Sequence, residues 1–338
     1  MPRLSHADPT VTIELDGDQL QAREGEPVAC AVIANDQLIF SRSPKYHRPR
    51  GPFCMTGACA QCLMRVDGIP NVATCRVPVK AGMRLERQNA MPDVRVDLLR
   101  ANDFVFRDWF NHHEFMAGWP IAEQVLLKIA RQLSGLGVLP ERAAADRQPA
   151  IIEEHELVVV GAGAAGLAAA RQLATRGVKH VLFERDLHVG GRLTSGAEAG
   201  QPAPWNAPAR LGAEVVGLFA DDGKPFLAVV EAGRLHLVFY QRLLLAVGGH
   251  ATLPTFPNND LPGVMAGRAV SMMIRRHGIL PGKRVACVGE ASEARSLAEL
   301  VKGAGGEALA VGAELVRAHG LRTVNAVTVF KRPDGPLT

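Results

Sequence analysis

Apolar and polar residues alternate along residues 10–18 (TVTIELDGD), and the chain then turns at Asp16-Gly17-Asp18 into QLQA. Successive side chains of a strand face opposite sides, so this pattern predicts a β-hairpin. Residues 25–35 (GEPVACAVIAN) predict a helix with Pro27 near its first turn. Apolar runs predict two further strands, at 37–41 (QLIFS) and 63–66 (LMRV). Together these elements predict a small α+β domain.

Two segments of different character follow. Residues 101–135 concentrate bulky aromatic side chains and then place apolar residues at helical spacing, which predicts a connector that docks on a neighbouring surface. We interpret His112 and His113 as polar residues of this connector, with a metal or flavin contact as the alternative. Residues 138–154 are polar and contain prolines, so they predict a linker.

From residue 156 the pattern becomes that of an α/β domain. ELVVV (156–160) predicts a buried strand, LAAARQLATRG (167–177) a helix and HVLF (180–183) the next strand. Residues 211–245 predict a small β-insertion, and RVACVGEASEARSLAELV (284–301) repeats the order strand, turn and helix. The predicted fold class is therefore α/β with an N-terminal α+β domain.

These changes of pattern set the predicted domain boundaries. A length of 338 residues accommodates two or three domains, and 47% hydrophobic residues supply ordinary packed cores. The predicted domains are 1–98 for the α+β domain, 99–154 for the connector and linker, 155–280 for a first Rossmann-type domain with its β-insertion, and 281–338 for a degenerate, truncated second nucleotide-binding domain.

Charge and hydropathy argue against two classes of partner. A formal net charge of +4 over 338 residues is too small to indicate a nucleic-acid-binding protein. No apolar run approaches the ~18–20 residues of a membrane span. The N-terminal MPRLSHADPTV lacks the apolar segment of a secretion signal. We therefore expect a cytoplasmic protein, in a reducing compartment where cysteines bind metal rather than form disulfides.

Four cysteines in one short segment carry the strongest chemical signal. Their spacing is C-x4-C-x2-C-x12-C, formed by Cys54, Cys59, Cys62 and Cys75. The first three follow the spacing of plant-type ferredoxins, in which four thiolates bind a [2Fe–2S] cluster. Zinc is the first alternative, and free or disulfide-bonded cysteines are the second, although Cys30 and Cys287 lie alone in apolar segments. The sequence predicts a [2Fe–2S] centre in a β-grasp, ferredoxin-like domain.

A glycine-rich turn between a predicted strand and helix carries the second signal. Gly161 permits the tight turn, Gly163 leaves room for a pyrophosphate against the backbone, and Gly166 lets helix and strand pack closely. The helix N-terminus offers free N–H groups to the pyrophosphate. Glu184 follows about twenty residues later, where an acid binds ribose hydroxyls and disfavours a 2′-phosphate. This context predicts a dinucleotide site rather than a glycine-rich turn without a ligand.

The Gly190-Gly191 pair after Glu184 favours FAD over NAD at this site. In flavoproteins with two dinucleotide domains, such a pair brings the backbone against the same cofactor. The core is therefore predicted to be a Rossmann-type two-dinucleotide-domain flavoprotein. Its predicted cofactor-binding residues are Gly161, Gly163, Ala164, Ala165, Gly166, Glu184, Arg185, Gly191, Arg192 and Leu193.

The second strand-turn-helix repeat departs from the dinucleotide pattern. Gly289 occupies the first glycine position, but Ala291 and Ala294 replace the second and third. A methyl group at the second position blocks close backbone approach, and Glu290 and Glu293 would repel a pyrophosphate. We predict that the fold persists without nucleotide binding, so that NADH or NADPH does not reduce the protein efficiently.

Several segments together resemble the α-subunit family of heterotetrameric sarcosine oxidase. They are also similar to relatives in hydrogen cyanide synthase, opine oxidases and dye-linked proline dehydrogenases. Many sarcosine oxidase α-subunits lack the cluster cysteines, which this chain has. The segments that carry the resemblance are RSPKYHRPRG (42–51), the cysteine run, the connector ending GWPIAEQVLLKIARQLSGLG, GAGAAGLAAA (161–170) and FPNNDLPGVM (256–265).

The resemblance implies a redox subunit of a multi-subunit, flavin-dependent amine or amino-acid oxidase or dehydrogenase of the sarcosine, opine or proline type. A β-type flavoprotein partner would oxidise the C–N bond, and this chain would relay electrons through FAD and the [2Fe–2S] cluster. Further small subunits are also implied. No general acid or base stands out in the sequence, so no catalytic residue is assigned. The alternative is a non-catalytic scaffold subunit that holds a structural NAD or ATP at the Rossmann site.

The family also implies an FMN shared at a subunit interface. Lys45 and Arg48 lie in a basic loop just before the first cysteine, and we predict that they contact the flavin phosphate; a solvated loop is the alternative. Two-domain flavoproteins usually bind the FAD ribitol through a late Gly-Asp motif, which this chain does not reach. We expect a partner to complete that site, or FAD to be bound less tightly.

Overall fold

The computed structural model describes residues 3–4, 11–44, 46–90, 92–101, 124, 148–195, 209–312 and 314–330. The chain forms two compact units. The first unit combines Met1–Glu141 with His250–Thr338, and the second unit is Arg142–Gly249. The cysteine run therefore belongs to the first unit and the first glycine-rich turn to the second. Almost all of the aromatic connector, including His112 and His113, lies outside the described residues.

The N-terminal part of the first unit contains a mixed sheet, an α-helix and a short 3-10 helix at Leu98–Arg100. Its strands are β1 (Val11–Leu15), β2 (Asp18–Ala22), β3 (Ser41–Arg42), β4 (Pro49–Arg50), β5 (Leu63–Val66), β6 (Ile69–Ala73) and β7 (Arg84–Glu86). Five of them form a sheet in the order β2-β1-β7-β5-β6, and β3 pairs with β4. Helix α1 (Val28–Ala34) follows Pro27 and buries six consecutive residues. The predicted hairpin, helix and LMRV strand are confirmed.

The predicted strand at 37–41 is wrong over most of its length. Only Ser41 belongs to a strand, β3. The Arg87 guanidinium takes the polar groups of the preceding residues: its Nε donates to the Ile39 carbonyl at 2.8 Å and its Nη2 to Gln37 Oε1 at 2.6 Å. The Ile39 carbonyl thus pairs with a distant side chain, and the Phe40 N–H is the group that donates to β4, to the Arg50 carbonyl at 2.8 Å.

The second unit is a six-stranded sheet that begins as a Rossmann-type βαβ. Its strands are β8 (Ile151–Val160), β9 (Val181–Glu184), β10 (Ala209–Leu211), β11 (Ala213–Asp221), β12 (Lys224–Glu231) and β13 (Arg234–Leu245). Their order is β10-β9-β8-β13-β12-β11. Helix α2 (Ala164–Thr175) connects the parallel strands β8 and β9, and the short helix α3 (Arg192–Ser195) follows β9. The antiparallel strands β11 to β13 confirm the predicted β-insertion.

Strand β8 begins earlier than predicted. It starts at Ile151, so residues 151–154 of the predicted linker lie in the sheet. The reason is the 12-residue length of β13, whose first half pairs with this stretch and places His236 opposite Ile151. Polar composition alone does not separate a linker from a half-exposed strand whose partner comes later in the chain.

The C-terminal part of the first unit contains the second strand-turn-helix repeat. Its elements are α4 (Gly267–His277), β14 (Arg284–Gly289), α5 (Ala291–Gly303), β15 (Glu307–Gly312), β16 (Glu314–His319) and β17 (Ala326–Phe330). β14 and β15 are parallel and α5 connects them, which confirms the predicted repeat. Ala269 and Met273 of α4 are fully buried in the same apolar core as Ile13 and Leu15. No helix in the described part of the chain is long and apolar enough to cross a membrane.

A polar cluster ties the strands of the second unit together. Arg210 on β10 donates to Glu153 on β8 at 2.7 Å and forms an ion pair with Glu231 on β12. His236 Nδ1 lies 2.5 Å from Glu153 Oε1, and His155 Nε2 lies 3.1 Å from Glu153 Oε2. Burial opposes ionisation of Glu153, but hydrogen bonds from Arg210, His155 and His236 outweigh it and lower its pKa from 4.5 to about 2.

We expect this cluster to make the second unit acid-sensitive. A carboxyl group whose pKa falls on folding stabilises the fold fully above its unfolded pKa of 4.5, and this stabilisation is lost as the pH falls toward 2. Glu153→Gln should therefore flatten the decline of Tm between about pH 5 and pH 3, measured by circular dichroism. Glu214→Gln, at an exposed position on β11, should keep the wild-type decline. Equal acid slopes for Glu153→Gln and wild type would contradict this account.

Candidate functional site

The four predicted cluster ligands come together in the first unit. Three of them follow β4 in one loop, and the fourth, Cys75, follows β6. Cys54, Cys62 and Cys75 are buried, whereas Cys59 is partly exposed. The site is thus closed to solvent except on the side of Cys59.

The four cysteine thiols lie close enough to shift one another's pKa values. The thiols of Cys59 and Cys75 hydrogen-bond to Cys54 and hold its pKa well below the usual range. Cys75 also bonds to Cys62 and lowers the pKa of Cys62 to about 7. The pKa values of Cys59 and Cys75 are raised in turn, since their protons are held in these bonds. Each sulfur contacts at least one other, and four converging thiols fit the donor set of an iron–sulfur cluster.

The backbone of the cysteine loop has the tight curl that such a site requires. Met55, Gly57 and Ala60 adopt φ values of 55°, 81° and 52°. For the two non-glycine residues this left-handed conformation costs on the order of 1 kcal/mol each. The Thr56 N–H donates to Cys54 Sγ at 3.3 Å, the kind of N–H···S bond that stabilises cluster thiolates. The residue types of Met55 and Ala60 do not indicate this conformation, so the sequence alone did not reveal it.

Among the residues that the structure describes, no group of three or more His, Cys, Asp or Glu side chains is arranged to hold a metal ion.

The first glycine turn joins β8 to α2, and it excludes side chains at two positions. A Cβ on Gly161, where φ is 98°, would lie 2.4 Å from the Ala246 carbonyl oxygen. A Cβ on Gly166 would lie 1.7 Å from the Gly161 carbonyl oxygen. A Cβ on Gly163, by contrast, would meet nothing within 4 Å. The turn is therefore packed against its own unit on one side and open at Gly163, on the side where a pyrophosphate is predicted.

Helix α2 begins at this open side. Gly163 is its N-cap and supplies no side-chain hydrogen bond, and the first turn contains no acidic residue. Ala164 and Ala165 are exposed there. Small exposed residues at a positive helix end allow a phosphate to approach the backbone N–H groups.

Glu184 ends β9 and turns back toward the glycine turn. Its Oε2 accepts from the Ala162 N–H at 2.6 Å, and its Oε1 accepts from the Asp186 N–H at 2.9 Å. Sequence reasoning missed this contact with the turn. A carboxylate has about four acceptor sites, so two such bonds leave capacity for the predicted ribose hydroxyls.

The Gly190-Gly191 pair also lies against the turn. The Gly190 N–H donates to the Ala162 carbonyl at 2.7 Å, and a Cβ on Gly191 would come within 3.3 Å of Gly163 Cα. Arg185, Arg192 and Leu193 are exposed. The structure thus brings the glycines, Glu184 and the glycine pair together, while cofactor contacts of the three exposed residues stay predictions.

The basic loop has an internal partner that sequence reasoning missed. Arg48 Nη2 donates to Asn258 Oδ1 at 2.5 Å and lies 3.3 Å from Asp260 Oδ1. Lys45 lies outside the described residues. Arg48 and Asn258 are 210 residues apart in the chain, which is why no local pattern revealed the pair. The flavin-phosphate contact stays a prediction.

The second glycine turn is capped by the chain's own carboxylate. Glu290 accepts from the N–H groups of Ser292 and Glu293, each at 3.1 Å. The Ser292 hydroxyl also donates to Glu290. This bond contributes most, and together with the two N–H bonds it lowers the pKa of Glu290 to about 2. A negative charge thus occupies the helix end at which a pyrophosphate would bind.

We expect NADH and NADPH to leave the visible spectrum unchanged on the timescale of turnover. The Glu290 carboxylate at the second turn should prevent productive binding of the nicotinamide dinucleotide. Anaerobic stopped-flow mixing tests this, with dithionite as the control reductant that needs no nucleotide site. Rapid bleaching by NADH would contradict the prediction.

Two family models match the chain and correspond to the two sites. A 2Fe-2S iron-sulfur cluster binding domain matches residues 8–90. An NAD(P)-binding Rossmann-like domain matches residues 159–222. The four cysteines lie in the first match and the glycine turn with Glu184 in the second.

Curated relatives decide the family. Sarcosine oxidase subunit alpha of Rhizobium meliloti (strain 1021) is 26% identical over 348 residues, covering 92% of this chain and 35% of the relative. Hydrogen cyanide synthase subunit HcnA of Pseudomonas aeruginosa is 35% identical over 86 residues, covering 25% of this chain and 80% of the relative. The chain belongs to the family of sarcosine oxidase α-subunits and their relatives. It spans about a third of the length of that sarcosine oxidase subunit.

A solved structure has the same fold as this chain. L-proline dehydrogenase from P. horikoshii superposes with a TM-score of 0.69 at 20% identity, covering 97% of this chain and 58% of the other. At this identity the likeness shows the fold alone. The predicted fold class, α/β with an N-terminal ferredoxin-like domain, is confirmed, and the 2Fe-2S family model supports a cluster in that domain.

Proposed function

We propose that this chain is the redox subunit of a multi-subunit, flavin-dependent oxidase or dehydrogenase acting on an amine or amino acid of the sarcosine, opine or proline type. The convergence of four cysteine sulfurs carries the proposal. Three of these thiols are buried and the fourth is partly exposed, an arrangement that suits a cluster that exchanges electrons. The relatives are named as subunits of sarcosine oxidase and hydrogen cyanide synthase, which supports a heteromeric assembly.

In this proposal the residues of the chain bind, orient and shield the redox groups. Cys54, Cys59, Cys62 and Cys75 hold the cluster, and the Thr56 N–H stabilises the charge on Cys54. Gly163 and the first turn of α2 receive the pyrophosphate, and Glu184 receives the ribose. The flavin and the cluster, when bound, supply the electron-transfer chemistry.

In this proposal a partner, a β-type flavoprotein subunit, oxidises the C–N bond of the substrate. We further propose FAD rather than NAD or ATP at the first glycine turn, supported by the approach of Gly191 to Gly163. FMN at a subunit interface is the remaining part of the proposal. Arg48 supports the FMN site in part. Asp260 pairs with its guanidinium, but 29% of the Arg48 side chain is exposed and can reach a phosphate.

Extraction of the bound nucleotide tests the proposal. The assembled protein would be purified anaerobically, denatured by heat, and its released nucleotides identified by chromatography, with iron measured on the same sample. We expect FAD in amounts matching the chain, together with iron; FMN in addition would support the interface site. NAD or ATP without flavin would instead favour the scaffold alternative, and a sample without flavin or iron would overturn the proposal.

A further inference from the structure

Two segments that carry the family resemblance lie against each other in the first unit. RSPKYHRPRG (42–51) contains Arg48 and Arg50, and FPNNDLPGVM (256–265) contains Asp260. Arg50 Nη1 lies 3.0 Å from Asp260 Oδ2, and Arg48 Nη2 lies 3.3 Å from Asp260 Oδ1. One carboxylate therefore faces two guanidinium groups from the other segment.

This charged group reaches the cysteine loop directly. Arg50 Nη1 also donates to Gln61 Oε1 at 3.4 Å, and Gln61 immediately precedes a cluster cysteine. At the other end of the loop, the Ala266 N–H donates to the Phe53 carbonyl at 3.1 Å, and Phe53 immediately precedes Cys54. The loop is thus held by Arg50, the partner of Asp260, at one end and by Ala266, the residue after the distant segment, at the other.

Burial makes these charges effective on their surroundings. The Asp260 side chain is 7% exposed and that of Arg50 is 27% exposed. Burial lowers the pKa of Arg50, Asp260 raises it and Arg48 lowers it further, so these two residues are the charges that act on it. Charges shielded from water interact more strongly with a neighbouring charge than exposed ones do.

We propose that the charges of Arg50 and Asp260, held beside the cysteine loop, shift the reduction potential of the cluster in opposite directions. The inference rests on the proposed function, because it requires the cluster. Reduction adds one electron to the cluster, so a positive charge nearby favours the reduced state and a negative charge favours the oxidised state. Potentials of such clusters respond to net charge and to solvent exposure around the sulfurs.

The test is a redox titration of the assembled protein, followed by electron paramagnetic resonance of the reduced cluster. Asp260→Asn should raise the midpoint potential, because it removes a negative charge and leaves two guanidinium groups. Arg50→Gln should lower it, and Arg50→Lys, which keeps the charge, should stay near the wild-type value. Asp18→Asn serves as the matched control, since Asp18 is an exposed carboxylate on β2 of the same unit.

The signs of the shifts separate an electrostatic role from a structural one. A role limited to holding the loop would move Asp260→Asn and Arg50→Gln in the same direction or leave both unchanged, and either result would overturn the inference. If Asp260→Asn fails to retain iron, a lower potential in Arg50→Gln but not in Arg50→Lys still supports it, and equal potentials in those two overturn it. A wild-type protein without iron would overturn the proposed function itself, which distinguishes the two failures.

Discussion

Cys62→Ser should remove most of the iron and acid-labile sulfide from the protein. Cys62 is buried, and its sulfur contacts that of Cys75. A serine hydroxyl there is a harder and weaker ligand for iron than a thiolate. Because loss of an outer-shell partner alone costs about 10–100-fold in metal affinity, loss of a direct ligand should cost at least as much. Iron and sulfide analysis, with visible absorption, would measure the effect.

Cys287→Ala is the matched control for that variant. Cys287 is buried in β14, and it is not one of the four converging cysteines. The control should keep the wild-type content of iron and sulfide, although it also removes a buried thiol. Equal iron content in Cys62→Ser and wild type would contradict the assignment of Cys62 as a ligand.

Gly163→Ala should lose bound nucleotide while the protein keeps its stability. The added methyl group meets no protein atom within 4 Å, so the fold should accept it. A bound pyrophosphate, however, needs that same space against the backbone. We expect nucleotide affinity to fall by about tenfold or more, which corresponds to about 1.4 kcal/mol or more. Nucleotide content after gel filtration and Tm would be measured on the same samples.

Gly166→Ala provides the contrasting variant. Its methyl group would lie 1.7 Å from the Gly161 carbonyl oxygen, so α2 must move away from the turn. Overpacking of this kind costs about 1–3 kcal/mol, so this variant should lose both stability and nucleotide. Full nucleotide content in Gly163→Ala would contradict the position assigned to the pyrophosphate.

Both candidate sites could be predicted from the sequence because their chemistry is local. The four cysteines lie within 54–75, and the glycine turn with Glu184 lies within 161–184. Residue type and spacing fix such sites, since a short loop or a single βαβ unit brings all of their parts together. The hairpin β1–β2 was predictable for the same reason: its alternation and its turn are both contained in a few residues.

The features that sequence reasoning missed depend on partners far away in the chain. Within residues 37–40, the Ile39 carbonyl accepts from the distant Arg87 side chain rather than from a neighbouring strand. Residues 151–154 join the sheet because β13 supplies a partner. Arg48 and Arg50 likewise contact Asp260. The two arginines precede the second unit in the sequence, and Asp260 follows it. No local pattern encodes such pairings.

Electron paramagnetic resonance of the wild-type protein tests the central claim most directly. The claim is that the sulfurs grouped around Cys54 bind a [2Fe–2S] cluster. Protein purified without oxygen and reduced with dithionite should give the signal of a reduced [2Fe–2S] centre, with about one unpaired electron per chain. An iron-free protein that gives no signal, and whose cysteines all react with a thiol reagent, would contradict it.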